Sequence, residues 1–468
     1  MKDNFQAKEL KKAKRAFKKI MRESKIRDRE ETRKQLKEKR KAERLKRNTL
    51  NRFLTLDNAA TIYPSIREEN WDFVYRESVV LNKPVNKDIL QRAVDEAKDR
   101  FPSFFVRIKS GVFWNYFESL DTRLLVQEEN FFPCARFLKG SNQHLIRVLY
   151  YKNRISVECF HAVADGRSTL KFLNSLVYRY LQLSGVKFSS ENGVLNTQDL
   201  PREDELVDSF LEYGDDSKKL KHKEVKAYRI KGTPEEFGVV NSIIAIMSVK
   251  NLKEISAKYN SKLFEFIIAS LGFSIYKRAN KSEKNRPIKI SVPIDLRRFF
   301  ESNTLRNFSG YLNVEIPIVK DLTFEKCLEI VHSEMSKIDK PRMQSFINSN
   351  VSMQKNKLIK IVPLFIKNFI IKLCFKAWGE SYQTLAVSNL GLVQTPAEYK
   401  TMVDHFEFNL GRPKYNAKSV GIVSYGDKMV LIMSSKIKEN TTERDFLTLL
   451  SSFGVTIEVD SNREDLYE

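Results

Sequence analysis

The run Val157-Glu158-Cys159-Phe160-His161-Ala162-Val163-Ala164-Asp165-Gly166-Arg167-Ser168 constrains this chain most, because the local pattern changes twice within it. Residues up to His161 read as the end of a strand, Asp165-Gly166 as a turn, and Ser168 onward as a helix. The helix is marked by Leu170, Leu173, Leu176, Val177, Tyr180 and Leu181, which recur at helical spacing. Such a segment sets a helix against a sheet and mounts His161 at the strand-to-loop junction, where rigid structure holds a side chain that is still accessible. Imidazole, with an ordinary pKa of about 6.5, accepts a proton near neutral pH. Glycine at 166 permits a sharp backbone path, and a carboxylate at 165 anchored elsewhere fixes the loop that presents the ring. The competing reading is a histidine satisfied by loop hydrogen bonds. His144, His222, His332 and His405 lack this context and read as surface or structural.

The rest of the chain reads as mixed α and β. Phe73 to Val80 has strand chemistry, and Lys87 to Arg100 is helical with Ile89, Leu90, Val94 and Ala97 inward. Phe104–Ile108, Val112–Phe117, Ile146–Tyr151 and Arg154–Phe160 are further strands. From Ser184 to Gly238 the chain turns polar and glycine-bearing, as a connection between two lobes would. Val239–Val249, Ile288–Ile294 and Tyr311–Ile318 then read as strands, with helices at Val249–Tyr259, Leu263–Tyr276 and Phe324–Ile338. Leu385–Leu390, Val420–Tyr425 and Met429–Ser434 are strands, the last two a hairpin, and Thr442–Phe453 is a closing helix. Pro363 to Trp378 is the most apolar stretch, interrupted by Lys367, Lys372 and Lys376. Apolar residues on nearly every face favour a helix packed between lobes over one docked on a membrane.

Charge is unevenly placed. Residues 1–50 hold 21 Lys+Arg against 8 Asp+Glu, so +13 of the net +23 lies in that segment and +10 in the remaining body. The segment lacks Pro and Gly from Asn4 to Arg47 and favours helix, with a thin apolar stripe at Leu10, Ala13, Phe17, Ile20 and Met21. It is therefore a solvated helical or disordered arm, a contact for anionic phospholipid, or a contact for RNA or protein. Sequence-specific reading of nucleic acid is disfavoured, since Phe5 and Phe17 are its only aromatic side chains. The four cysteines are widely spaced, with no Cys-x-x-Cys pair, and indicate neither a zinc site nor a disulfide framework. That cysteine pattern fits a reducing cytoplasm, and with neither a signal peptide nor an apolar run of membrane-spanning length found the body is expected to be soluble, with peripheral membrane attachment if the arm docks.

His161-x-x-x-Asp165-Gly166, followed by Ser291-Val292-Pro293-Ile294-Asp295-Leu296-Arg297, Asn307-Phe308-Ser309-Gly310-Tyr311 and Val387-Ser388-Asn389-Leu390-Gly391, resembles the chloramphenicol-acetyltransferase-like superfamily. That superfamily includes alcohol O-acyltransferases and the condensation domains of peptide synthetases. The resemblance runs from about Leu56 to about Val459. It implies an α+β fold of two α/β lobes with a channel at their interface. The corresponding division of the chain is a basic arm at 1–50, an N-terminal lobe at 51–190, a connection at 191–238 and a C-terminal lobe at 239–468. It also implies that His161 is a general base in acyl transfer from a thioester and that Asp165 pairs with Arg297. Two departures tilt it towards a stand-alone alcohol acetyltransferase: Phe160 stands where condensation domains have a first histidine, and the Asp-Phe-Gly-Trp-Gly motif of the plant enzymes is absent.

Acyl transfer needs a donor near the developing oxyanion. The resemblance implies that the segment of Ser388 and Asn389 crosses between the lobes beside the channel, which makes them the first candidates for it, with Asn313 and Tyr425 weaker ones; Ser388 and Asn389 read equally well as turn formers. A metal pair at His161 and Asp165 lacks a third ligand at recognisable spacing. No nucleophile elbow, phosphate loop or dinucleotide glycine fingerprint occurs. The expected activity is transfer of an acyl group, acetyl first among candidates, from coenzyme A to a small-molecule or lipid alcohol. Its rivals are amide or ester formation with a donor carried on a phosphopantetheinyl protein, and an inactive scaffold that uses the basic arm.

Overall fold

The computed structural model describes residues 54–462 apart from 69–70, 139–142, 216, 218–224, 237, 284 and 378. The basic arm read at 1–50 lies outside the described residues. The strands, in chain order, are β1 (Leu54–Thr55), β2 (Val74–Leu81), β3 (Val106–Ser110), β4 (Asn115–Ser119), β5 (Gln127–Glu128), β6 (Ile146–Tyr151), β7 (Arg154–Phe160), β8 (Asn241–Ser248), β9 (Ile288–Asp295), β10 (Ser309–Ile316), β11 (Leu385–Leu392), β12 (Val403–Asn409), β13 (Lys418–Tyr425), β14 (Lys428–Ser435) and β15 (Ile457–Ser461). They build a five-stranded sheet in the order β12-β2-β7-β6-β5, a seven-stranded sheet in the order β10-β9-β11-β13-β14-β8-β15, and a small sheet in the order β1-β4-β3.

Each large sheet carries its own hydrophobic core. In the first lobe α1 (Lys87–Arg100) and α2 (Gly166–Leu183) pack on each other, and α2 lies against β2 and β7. Asn86 caps α1 by accepting from the N–H groups of Asp88 and Ile89, and Asp165 caps α2 by accepting from Ser168. In the second lobe α3 (Val249–Lys258) and α4 (Leu263–Arg278) are followed by α5 (Phe324–Met335), which packs on α4 and β10. Helix α4 is buried from Glu265 to Tyr276, as an all-apolar helix must be. After α6 (Lys340–Lys355) and α7 (Leu364–Ala377), α8 (Thr441–Ser452) closes against α4.

The two lobes are not consecutive segments of chain. Strand β12, which falls within the stretch read as the C-terminal lobe, pairs antiparallel with β2 at the edge of the first sheet. Phe406 and Phe408 alternate into the first core, while Glu407 on the opposite face reaches Arg154 at 3.6 Å. The crossing strand also ties the lobes together. Asn409 donates to Ser242 Oγ at 3.0 Å and accepts from Ser434 Oγ at 2.7 Å. The backbone of Phe408 approaches β13 so closely that a Cβ on Gly421 would lie 2.1 Å from its carbonyl oxygen.

Helix α7 overturns the expectation of a helix packed between lobes. Phe365 is 73% exposed and Phe369 64%, and Ile366, Ile370 and Leu373 are exposed beside them. The side turned to the protein holds Leu364 together with polar Lys367 and Asn368. Lys367 donates to the carbonyl of Phe113 at 3.1 Å and lies 3.4 Å from the ring centre of Trp114, and Asn368 accepts from Ser65 Oγ at 2.7 Å. Composition shows that apolar residues surround the axis, but only the packing reveals that polar anchors hold the helix and leave its apolar side free.

Candidate active site

His161 follows β7 directly and lies at the meeting of the two lobes. Its N–H donates to the carbonyl of Phe73 at 2.8 Å, which carries the sheet pairing one residue past the strand. The imidazole is stacked on Tyr63, with ring centres 4.6 Å apart, and meets Tyr75 edge-on at 5.1 Å. Tyr75 in turn donates to the carbonyl of Ala164 at 2.9 Å and so braces the loop behind the ring. Asn307, from the second lobe, approaches His161 Nδ1 through its Oδ1 at 3.3 Å. The Asn307 amide nitrogen is directed elsewhere, to Asp57 Oδ2 and the carbonyl of Ala162, each at 3.3 Å. Its oxygen therefore accepts from Nδ1–H, which assigns the proton to Nδ1 and leaves Nε2 with a free lone pair. Burial lowers the histidine pKa from its ordinary 6.5, against the opposing pull of its own backbone carbonyl, the Asp165 charge and Asn307. At neutral pH the ring is uncharged and basic at Nε2.

Asp165 turns away from the imidazole. Its Oδ2 accepts from Phe308 N–H at 2.8 Å and Arg297 Nη1 at 2.9 Å, and its Oδ1 accepts from Ser168 N–H at 3.0 Å. Burial pushes the carboxyl up, but the Arg297 charge and these donors outweigh it and hold the pKa below 3.8. Arg297 follows β9 in a single turn and also donates to Asp295, Ser168 Oγ and the carbonyls of Thr304 and Arg306. This cluster clamps the loop of one lobe to a strand end of the other. Gly166 is the first residue of α2, and its constraint is crowding instead of a sharp turn: a Cβ there would meet Leu390 Cδ2 at 3.0 Å, Glu77 Oε1 at 3.3 Å and Phe408 Cζ at 3.4 Å.

A cavity of about 490 Å³ opens beside His161, within the range of small-molecule sites. Strands of both lobes line it: Phe73–Tyr75 from one side, Pro293–Asp295, Ser309 and Ser388–Leu392 from the other, and Phe408 with Leu410–Pro413 from the crossing chain. Its acidic residues are engaged. Asp72 pairs with Arg67, Asp165 and Asp295 with Arg297, and Glu380 accepts three N–H groups from Lys414, Tyr415 and Asn416. Arg167, Arg298 and Arg412, also at the cavity, form no ion pair among the described residues. Asn416 is 3% exposed, lines the cavity, and has neither its Nδ2 nor its Oδ1 bonded within the described protein. A buried amide in that state takes its hydrogen-bond partners from outside the described protein, water or ligand.

No family model matches the sequence, and no curated protein matches it. Solved structures do. Fusarium graminearum TRI101 complexed with coenzyme A and T-2 mycotoxin superimposes with a TM-score of 0.57 at 10% identity, over 87% of this chain and 99% of that one. The starter condensation domain of rhizomide synthetase RzmA, in complex with C8-CoA and Leu-SNAC, gives 0.54 at 9% identity over 86% and 94%. Polyketide synthase associated protein 5 from Mycobacterium tuberculosis gives 0.52 at 12% identity over 85% and 97%. This chain has the chloramphenicol-acetyltransferase-like fold.

Within the chloramphenicol-acetyltransferase-like fold, His161, Asp165, Gly166 and Arg297 come together at the lobe interface, and Ser388 and Asn389 line the cavity. Asn389 Oδ1 accepts from Gly391 N–H at 2.8 Å, so this oxygen shapes the bulge in β11 while the amide nitrogen stays available. The chain that crosses between the lobes is the segment ending in β12, after Ser388 and Asn389. Asn313 and Tyr425 do not line the cavity. Asn313 pairs with Ser291, two residues before the cavity-lining Pro293, and Tyr425 lies one residue past Ser424, the partner of the cavity-lining Leu392, so both stand just outside the lining. Sequence reasoning named Asn307 only within a motif and passed over Asp57, Tyr63 and Asn416. Asn307 was the legible one, since it begins a motif already singled out; the others touch the site only through long-range folding.

Proposed function

We propose that this protein is an acyl-CoA-dependent O-acyltransferase with His161 as general base. The observation that carries the reading is the imidazole held neutral with Nδ1 engaged by Asn307 and Nε2 without a partner among the described residues, beside a cavity built from both lobes. In this reading the acceptor hydroxyl gives its proton to Nε2 as its oxygen attacks the thioester carbonyl carbon. The tetrahedral oxyanion then collapses, the C–S bond breaks, and the departing thiolate takes the proton from the imidazolium. Ser309, Ser388 and the Asn389 amide supply donors along the cavity wall for the oxyanion. Asp165 and Arg297 act as positioning residues, because their charges are directed at each other.

Coenzyme A is the donor favoured here over a carrier-bound thioester. Arg167, Arg298 and Arg412 complement a polyphosphorylated donor, and the unpaired Asn416 amide complements an amide of the pantetheine arm or a polar acceptor. The acceptor class is a small or lipid alcohol, and an arm with +13 would further attract the protein to an anionic membrane. The test is release of free thiol from a panel of acyl-CoA thioesters with alcohol acceptors, compared between the full chain and His161→Ala. Acceptor-dependent thiol release that collapses in the variant supports the proposal. Release by the variant at the normal rate, or release only from a phosphopantetheinyl carrier, rejects it.

A further inference from the structure

We infer that the body of this protein docks on an anionic bilayer through α7 and the hairpin tip Gly111–Trp114. The patch is built from two touching elements. Leu364 N–H donates to the carbonyl of Val112 at 2.8 Å, and Lys367 Nζ donates to that of Phe113 at 3.1 Å. From α7 the patch presents Phe365, Ile366, Phe369, Ile370 and Leu373; the tip adds Val112, which is 73% exposed, with Phe113 and Trp114. Ile361, 69% exposed, continues it before the helix. Isolated exposed apolar residues are ordinary, but a contiguous group on one helix and the adjoining hairpin marks an interaction surface.

Charge selects the occupant. From Lys340 to Gly379 the sequence contains eight Lys or Arg residues and no Asp or Glu. Of these, Lys360, Lys372 and Lys376 are exposed around the apolar face. Apolar and aromatic side chains ringed by lysines match the headgroup boundary of an anionic leaflet, where rings enter the interface and ammonium groups meet phosphate. The other occupants oppose this charge. The arm at 1–50 carries +13 and is repelled by the same lysines, and a second copy seated symmetrically would set lysine against lysine. Helix α7 has 14 residues, and no helix among the described residues is long and apolar enough to cross a membrane. It lies in the interface plane.

The inverted arrangement of α7 suits this role. Lys367 and Asn368 bind it to the protein by hydrogen bonds and Leu364 is buried beside them, which leaves Phe365, Phe369, Ile370 and Leu373 outward. At its far end Phe375 meets Phe73, a cavity-lining residue, with ring centres 6.0 Å apart, and also packs near Tyr415. Docking by this surface therefore sets one wall of the cavity, at Phe73, behind the helix that meets the bilayer.

The experiment uses the full chain and sedimentation with vesicles of phosphatidylcholine alone or mixed with phosphatidylserine. Binding to the mixed vesicles is expected, and F365S/F369S should weaken it by about tenfold or more while circular dichroism stays unchanged. Both replaced side chains are mostly exposed, so the fold does not depend on them. With brominated lipids, tryptophan quenching should fall in W114F. No vesicle binding by the full chain, or equal binding by F365S/F369S, overturns the inference. So does a concentration-dependent dimer abolished by F365S/F369S, or a cross-link from the 1–50 arm to α7 lost in the same variant. None of these readouts depends on acyl transfer.

Discussion

Arg297→Ala removes the cation that clamps the histidine loop to the opposite lobe. Its guanidinium bonds Asp165 at 2.9 Å, Asp295 at 3.0 Å, Ser168 Oγ at 3.0 Å and the carbonyls of Thr304 and Arg306 at 2.9 and 2.7 Å. The Asp165 side chain, 5% exposed, would keep only the N–H groups of Ser168 and Phe308. Breaking a buried pair from one side costs about 3–5 kcal/mol, and these two remaining donors place the loss near the lower end. Asp165→Asn leaves Arg297 with Asp295, Ser168 Oγ and two carbonyl partners, so its cost should be smaller. The double variant should lose less than the sum by about 1–3 kcal/mol, read from urea denaturation of the two single variants and the pair. A pH series adds an independent check. The folded pKa of Asp165 is depressed, so its stabilisation is fully present above the ordinary carboxylate value of 3.8 and is lost as pH falls through the lower folded value. The gap between wild type and Asp165→Asn should stay level from neutrality to about pH 4 and shrink below it. Additivity within about 0.5 kcal/mol, or a gap that widens in acid, would refute the cross-lobe clamp.

His161→Ala should lower thiol release by about 10²–10⁴-fold with the urea midpoint unchanged, as loss of a positioned proton acceptor does. In the wild type kcat/KM should fall as the solution is acidified, with a midpoint below 6.5 because burial disfavours the imidazolium; a midpoint above 6.5 would contradict the assigned environment. Asn307→Ala should cost about five- to tenfold in kcat, the equivalent of one neutral hydrogen bond fixing the tautomer, and unaltered steady-state kinetics would remove Asn307 from the site. Gly421→Ala should destabilise the protein by about 1–3 kcal/mol, because the added methyl meets the Phe408 carbonyl across the β12–β13 contact; an unchanged urea midpoint would show that the strands separate without cost.

The sequence by itself determined the local pieces of this protein. The abrupt change from strand to helix around His161 placed the histidine at a junction, and the 3.6-residue repeat from Leu170 to Leu181 specified the helix behind it, because both signals lie within a few residues of each other. The motifs around Arg297, Asn307 and Ser388 indicated a two-lobed fold through resemblance, beyond what periodicity contains. Tertiary structure decided what crosses between lobes. The alternation in Val403–Asn409 is compatible with either sheet, and the free edge of β2 together with the first core selects one. Pairing of Asp57 with Asn307 spans 250 residues, and pairing of Asn307 with His161 spans 146, distances over which no local pattern carries information. Helix α7 shows the same limit within one element. An apolar composition fixes how much surface a helix could bury, but whether it does depends on which side the polar anchors Lys367 and Asn368 find partners, and those partners, Phe113 and Ser65, come from the other end of the chain.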